Sequence, residues 1–171
     1  MSTTSVTGTS NRITLAVLTA REAVHGNPWI TERWRVLGVV AGESFGTVRE
    51  RRVARSGRES EQYLWTGLVL SLNVSETDSY YYNLIGDKPC VYVFGHRDSG
   101  GEFIPTQVSI EYIDALSHSE SGNEVFSAPM PPEVYRTVEE FVLEHHVPEE
   151  PRQRRKREPG AGCGGQREPN D

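Results

Sequence analysis

Histidine and cysteine are the side chains of this 171-residue chain that could bind a metal or act as nucleophiles. The five histidines are His25, His96, His118, His145 and His146, and the two cysteines are Cys90 and Cys163. None of these residues has the spacing of a metal-binding motif. The adjacent His145 and His146 would point about 100° apart on a helix, so they cannot share one face. The sequence therefore predicts neither a metal site nor a bound cofactor.

The sequence also lacks the motifs of nucleophilic catalysis and of phosphate binding. It contains no Gly-x-Ser-x-Gly elbow. Ser and Asp are plentiful, but nothing in the sequence marks one pair of them as a nucleophile and its acidic partner. Glycine-rich loops bind phosphate when they follow a strand and begin a helix. The glycine-rich run at 160–165 has neither a predicted strand before it nor a predicted helix after it. We therefore predict no catalytic residues and a protein that is not an enzyme.

Charge is distributed unevenly along the chain. The formal net charge is −6, and residues 148–171 hold six Lys or Arg against five Asp or Glu, which leaves −7 on residues 1–147. An acidic body argues against a general nucleic-acid-binding protein, which needs positive charge to neutralise phosphates. Five arginines between positions 49 and 58 form a second basic stretch, which is typical of an edge strand protected from aggregation.

The basic tail and the apolar turns are the candidate partner-binding segments. The tail residues concerned are Arg152, Arg154, Arg155, Lys156 and Arg157. They could contact an acidic protein surface, nucleic acid or acidic lipid, although a solubilising tail is the simpler interpretation. Trp29 follows Asn27-Pro28 and Met130 lies between prolines, so both could anchor a partner. A ligand pocket, if the fold has one, would be lined by Trp34, Trp65 or Tyr82.

Strands dominate the predicted secondary structure. The clearest runs from Gln62 to Val74, where the even positions from Leu64 to Val74 share one face. Further strands are predicted at 13–22, 34–40, 45–55, 90–95 and 103–112, short helices at 76–84 and 113–119, and a loop up to Pro132. Apolar residues with a helical period predict an amphipathic helix over 133–146.

These elements predict a mainly β (α+β) fold. About six antiparallel strands would form a curled sheet or, as we prefer, a partly open barrel, covered by the C-terminal amphipathic helix. The predicted organisation is a disordered lead at 1–11, a single β-rich domain at 12–147 and a disordered Arg/Gly-rich tail at 148–171. We find neither a transmembrane run nor a secretory signal, so we expect a cytoplasmic protein that does not contact the membrane.

Eight short blocks follow one another in an order that matches a known pattern. They are Asn27-Pro28-Trp29, Glu32 to Val39, Tyr63 to Leu72, Tyr81 to Leu84, Pro89 to Val93, Pro129 to Glu133, Phe141 to His145 and Pro148-Glu149. Each block alone has little specificity. Taken in this order, over residues 12–157, they resemble a bacterial family of unknown function, DUF3305.

The resemblance implies a setting rather than a reaction. Members tend to lie beside genes for molybdenum-dependent formate dehydrogenase, iron–sulfur proteins and their chaperones, and some carry a label for molybdopterin-guanine dinucleotide biosynthesis. A nucleotidyltransferase of that kind would begin with a strand that runs into a glycine-rich phosphate loop, whereas Leu15 to Arg21 contains no glycine.

We therefore predict a non-catalytic accessory or adaptor protein. Its partner would be a redox enzyme subunit, of the molybdenum-dependent formate dehydrogenase type, or the assembly factor of such an enzyme. One alternative is small-molecule (pterin-like) binding, or an enzyme of molybdenum cofactor maturation. The other is nucleic-acid binding through the basic tail.

Overall fold

The computed structural model describes residues 11–148. The predicted lead, except for Asn11, and the predicted tail, except for Pro148, lie outside the described residues. The same holds for the five basic tail residues proposed as partner contacts, Arg152, Arg154, Arg155, Lys156 and Arg157.

Seven strands and three helices make up the described chain. The strands are β1 (Arg12–Ala23), β2 (Glu32–Ala41), β3 (Arg51–Ser56), β4 (Ser60–Ser71), β5 (Cys90–Arg97), β6 (Phe103–Ser109) and β7 (Glu124–Pro129). The helices are α1 (Thr77–Ile85), α2 (Tyr112–Glu120) and α3 (Pro132–His145). The three predicted helices are thus present with bounds that differ by about one residue.

The strands form two antiparallel sheets. Their orders are β2-β1-β4-β3 and β6-β5-β7. The predicted mainly β, antiparallel fold with a C-terminal helix is confirmed, but the sheets are not closed into a barrel. Instead the edge strand β2 contacts the edge strand β7, and the inner strand β4 contacts β6. The apolar faces of both sheets meet α1 and α3 in one core.

Helix α3 covers this core with one stripe of side chains. Val134, Val138, Phe141 and Val142 are buried, as their helical spacing predicted. Proline is present in the first turn, where its missing N–H costs no hydrogen bond. Helix α1 packs beside α3, and the ring of its buried Tyr80 lies 6.2 Å from the ring of Phe141.

A bulge in β4 corrects the predicted alternation of its side chains. Leu15 pairs with Leu68 and Val17 with Trp65, so two residues of β4 lie opposite one residue of β1. The bulge includes Gly67, whose φ is +77° and whose position would bring a Cβ within 2.5 Å of the Val48 backbone. The even-position pattern therefore fails before the bulge, where Tyr63 is buried and Leu64 only partly so. It also fails at Val74, which is exposed because β4 ends at Ser71 and Val74 begins a short 3-10 turn.

Two other strand predictions were wrong. The predicted strand at 45–55 begins only at Arg51, because Glu43–Phe45 is a short 3-10 turn and Gly46, with φ +65°, changes the direction of the chain. The segment Glu124–Pro129, expected to be part of a loop, is β7. Its pairing with β5 joins residues far apart in sequence, which local periodicity does not reveal.

The basic stretch of β3 lies at an edge of the larger sheet, as predicted. The Arg51 guanidinium makes two hydrogen bonds to the Glu102 carboxylate, at 2.6 and 3.1 Å. Arg49 donates to the carbonyl oxygens of Pro105 and Thr106 on β6. Arg51 at the start of β3 and Arg49 just before it therefore connect this edge of the larger sheet to β6 and to the residue that precedes β6.

The side-chain amide of Asn83 joins α1 to the smaller sheet. Its Nδ2 donates to the carbonyl oxygens of Cys90 and Ile110, at 2.9 and 2.8 Å. Its Oδ1 accepts from the Cys90 N–H at 3.0 Å. One side chain thus satisfies three backbone groups, at the beginning of β5 and just after β6.

We predict that Asn83→Asp lowers the free energy of unfolding by about 2 kcal/mol or more, because a carboxylate cannot donate to two carbonyl oxygens. Urea denaturation at pH 7 measures the change. Asn73→Asp is the matched control, since the Asn73 side chain accepts from the Ser75 N–H and a carboxylate can do the same. Equal stabilities for the two variants would contradict the assigned role of Asn83.

Candidate functional site

An open apolar groove lies where the start of β5, the end of β7 and the first turns of α3 meet. Its volume is about 700 Å³. We call it the proline groove, and its apolar lining includes Pro89, Pro129, Met130, Pro132 and Tyr135. The charged residues of its lining within the described chain are Lys88 and Arg136. The groove is thus apolar in its walls and positively charged at two points.

Hydrogen bonding and proline geometry fix the shape of the proline groove. The Met130 N–H donates to the Pro89 carbonyl oxygen at 3.0 Å, which ties the end of β7 to the residue before β5. Pro131 is extended, with φ −60° and ψ 147°, and the helix starts at Pro132. Because proline has a fixed φ, this connection loses little conformational freedom when a ligand binds.

A second cleft opens on the other side of β5, between α1 and α2. Its volume is about 380 Å³, and we call it the tyrosine cleft because Tyr82, Tyr92 and Tyr112 line it. Tyr82 is 70% exposed and Tyr112 is 62% exposed. The rings of Tyr92 and Tyr112 lie 6.3 Å apart. Such exposed aromatic surface is typical of binding sites.

Cys90 and Lys88 belong to both clefts. Cys90 is a half-buried free cysteine whose backbone N–H and carbonyl both bond to Asn83. Burial, followed by the hydrogen bond to the Cys90 side chain, raises the pKa of the Tyr92 hydroxyl, so Tyr92 stays protonated at neutral pH. Hydrogen bonds with the Asn83 amide and with the protonated Tyr92 hydroxyl therefore fix Cys90 at the boundary between the two clefts.

The carboxylates of Glu76, Glu111 and Asp114 lie close together next to the tyrosine cleft. The Tyr80 hydroxyl accepts from the Asn73 N–H at 2.9 Å and donates to Glu111 Oε1 at 3.3 Å. Burial raises the pKa of Tyr80 to about 12. Burial, with the nearby carboxylates of Asp114 and Glu76, also raises the pKa of Glu111 above its ordinary value. The carboxylate of Glu111 is thus destabilised by its surroundings.

The structure separates the residues that the sequence suggested for binding. Met130 lines the proline groove, and Tyr82 lines the tyrosine cleft. Trp29 is 91% exposed on the turn between β1 and β2. Trp34 is buried and stacks on Tyr63, with 5.8 Å between ring centroids.

Trp65 is likewise packed against the core and lines neither cleft. Its Nε1 donates to Thr19 Oγ1 at 3.1 Å. Trp34, Trp65 and Tyr82 therefore do not form one ligand site around either cleft. The sequence did not indicate Lys88, Tyr135 or Arg136, because Lys88 lies far from the other two along the chain and none of them belongs to a motif.

Residues 11–148 contain no group of three or more His, Cys, Asp or Glu side chains placed to hold a metal ion. None of their helices has both the length and the hydropathy that a membrane span requires.

We predict that Glu111→Gln raises the free energy of unfolding at pH 7. The pKa of Glu111 is higher in the folded state than in the unfolded state, where glutamate has a pKa of about 4.3. The ionised side chain therefore costs stability when the pH is above the unfolded-state pKa, and the difference between variant and wild type should vanish near pH 4. Urea denaturation at both pH values measures this.

Glu61→Gln is the control of opposite sign. The hydrogen bond from Tyr63, together with Arg21, lowers the pKa of Glu61. Its carboxylate therefore contributes stability above the unfolded pKa, and Glu61→Gln should lower the free energy of unfolding at pH 7. Stabilities that shift in the same direction would contradict the assignment.

Comparison with known proteins identifies a family. A family model described as a protein of unknown function (DUF3305) matches residues 14–156. No curated protein and no solved structure matches the chain. The matched segment contains both clefts and every described element from β2 to α3. The resemblance seen in the sequence blocks is therefore confirmed, and the chain belongs to the DUF3305 family.

Proposed function

We propose that this protein is a non-catalytic adaptor that binds a segment of a partner protein in the proline groove. The supporting observation is the position of Met130, an apolar turn residue that lines an open groove of about 700 Å³. Rigid apolar walls favour binding because little side-chain and backbone freedom is lost on association.

The charges of the groove indicate the chemistry of the partner segment. Lys88 and Arg136 bring two positive charges to a protein whose residues 1–147 carry −7. A partner segment with apolar residues next to an Asp, a Glu or a terminal carboxylate matches this arrangement. Charge complementarity of this kind contributes mainly to specificity and association rate.

The resemblance to the family suggests which proteins carry such a segment. We propose a subunit of a molybdenum-dependent formate dehydrogenase-type redox enzyme, or the assembly factor that matures it, in the cytoplasm. Trp29, with its exposed ring, would provide a second contact outside the groove.

A small-molecule site is the second candidate function. The volume of the proline groove lies within the range of about 300–1,000 Å³ that is common for ligand pockets, and its lining is mostly apolar. Native mass spectrometry of the protein purified from its host distinguishes the candidates. A stoichiometric small molecule, lost in Tyr135→Ala, would favour a pterin-like or other ligand over a protein segment.

We predict that Arg136→Glu reduces recovery of the redox subunit or assembly factor at least tenfold in an affinity pull-down from the native host. Arg136 is exposed, so its replacement leaves the fold intact. Arg58→Glu makes the same charge change at an exposed position outside the proline groove and should leave recovery unchanged.

Two results together would contradict the adaptor proposal. The tagged wild-type chain would recover no redox subunit and no assembly factor, and deletion of the gene would leave formate dehydrogenase activity intact. Binding to nucleic acid that is lost when the basic tail is removed would instead support the alternative that this protein binds nucleic acid.

A further inference from the structure

The exposed sides of α1 and α2 form an aromatic surface that the rest of the described chain, residues 11–148, leaves uncovered. Tyr82 and Tyr112 are mostly exposed, and so are the neighbouring Ile85 and Ile113. We call the surface formed by these four residues and Tyr81 the tyrosine face. Exposed rings of this kind stack well on planar cations such as guanidinium groups.

Carboxylates border the tyrosine face. Asp78 lies at the start of α1, and Asp87 lines the tyrosine cleft. Glu111 and Asp114 lie at the start of α2. Within residues 11–148, no Lys or Arg forms an ion pair with any of these four carboxylates. The face therefore combines aromatic rings with four carboxylates that are not ion-paired to any Lys or Arg of the described chain, and Lys88 is the cation that lines the cleft beside Asp87.

The described chain ends on this face. Pro148 and His146 form a cleft of about 300 Å³ with Asp78, Tyr81 and Tyr82. The His146 ring stacks on Tyr81, with ring centroids 5.0 Å apart and planes 14° apart, and its Nδ1 lies 2.9 Å from Asp78 Oδ1. A planar nitrogen-containing side chain thus already occupies the stacked position, next to a carboxylate.

The chain that follows Pro148 has the complementary charge and sufficient reach. Residues 152–157 contain five Lys or Arg in six positions. An extended chain spans up to about 3.3–3.6 Å per residue, so Arg152 can lie up to about 14 Å from Pro148 and Arg157 up to about 30 Å. Because Tyr82 lines both the cleft at Pro148 and the tyrosine cleft, the segment begins beside the tyrosine face.

We infer that residues 152–157 dock on the tyrosine face of the same molecule, with guanidinium groups stacked on Tyr82 and Tyr112 and paired with Asp78 and Asp87. The short tether makes the local concentration of the segment millimolar, so individually weak contacts suffice. The proline groove suits this segment less well, because Arg136 adds a second positive charge to that of Lys88 there, whereas Asp87 lies beside Lys88 in the tyrosine cleft. The tail and a partner segment therefore occupy different sites, and the inference does not rest on the proposed function.

Amide NMR spectra of the full chain test the inference. The variant replaces all five basic residues of the segment (Arg152→Gln, Arg154→Gln, Arg155→Gln, Lys156→Gln and Arg157→Gln). Compared with wild type, we expect shift changes within the described chain to be confined to residues 78–87 and 112–116. They should be lost in 1 M salt, where the Debye length is about 3 Å, and be unchanged by tenfold dilution. Arg167→Gln is the matched control and should leave these resonances in place.

A second variant tests the face itself. Tyr82→Ala removes one exposed ring, so in the tail-intact chain it should at least halve the shift difference at Asp87 and Tyr112 between low and high salt. Unchanged α3 resonances confirm that the variant is folded. Three results would overturn the inference. One is no shift change in the tail variant, and another is a change centred on a different surface. The third is a change that disappears on dilution, since a second copy would then supply the tail.

Discussion

The side-chain amide of Asn83 is the interaction on which the candidate site depends. It bonds to the N–H and carbonyl of Cys90 and to the carbonyl of Ile110. These bonds fix the end of α1 against the start of β5, and Lys88 and Cys90 lie at that junction in both clefts. Because all the hydrogen-bonding groups of the amide are used, Asn83 shapes the site without being free to bind a ligand.

The open edges of the two sheets are the second constraint. A sheet edge exposes unpaired backbone groups, and β3 lies at such an edge with a row of arginines. Arg49 and Arg51 connect it to β6 and to Glu102. The two sheets do not close into a barrel, because no backbone ladder of the described chain joins β3 to β6 or β2 to β7. At the first of these gaps the guanidinium groups of Arg49 and Arg51 make the connection.

Local patterns predicted the elements that depend on local physics. The apolar runs of β1 and β2 and the helical stripe of α3 follow from burial against the core, so the sequence indicated them with small errors in their bounds. Strand β7 depends on pairing with β5, and the bulge at Gly67 depends on the approach of Val48. These features arise from contacts between distant segments. The same reason explains the site. Met130 could be named because it is an apolar residue between prolines, whereas Lys88 and Arg136, which line the groove with it, belong to no local pattern.

Binding of a partner segment in the proline groove is the central claim. Hydrogen–deuterium exchange of the full chain, with and without the co-purified partner, tests it most directly. The account predicts slower exchange at Lys88, Cys90, Met130 and the first turns of α3 when the partner is bound. Protection confined to the turn around Trp29, with unchanged exchange along the groove, would contradict it.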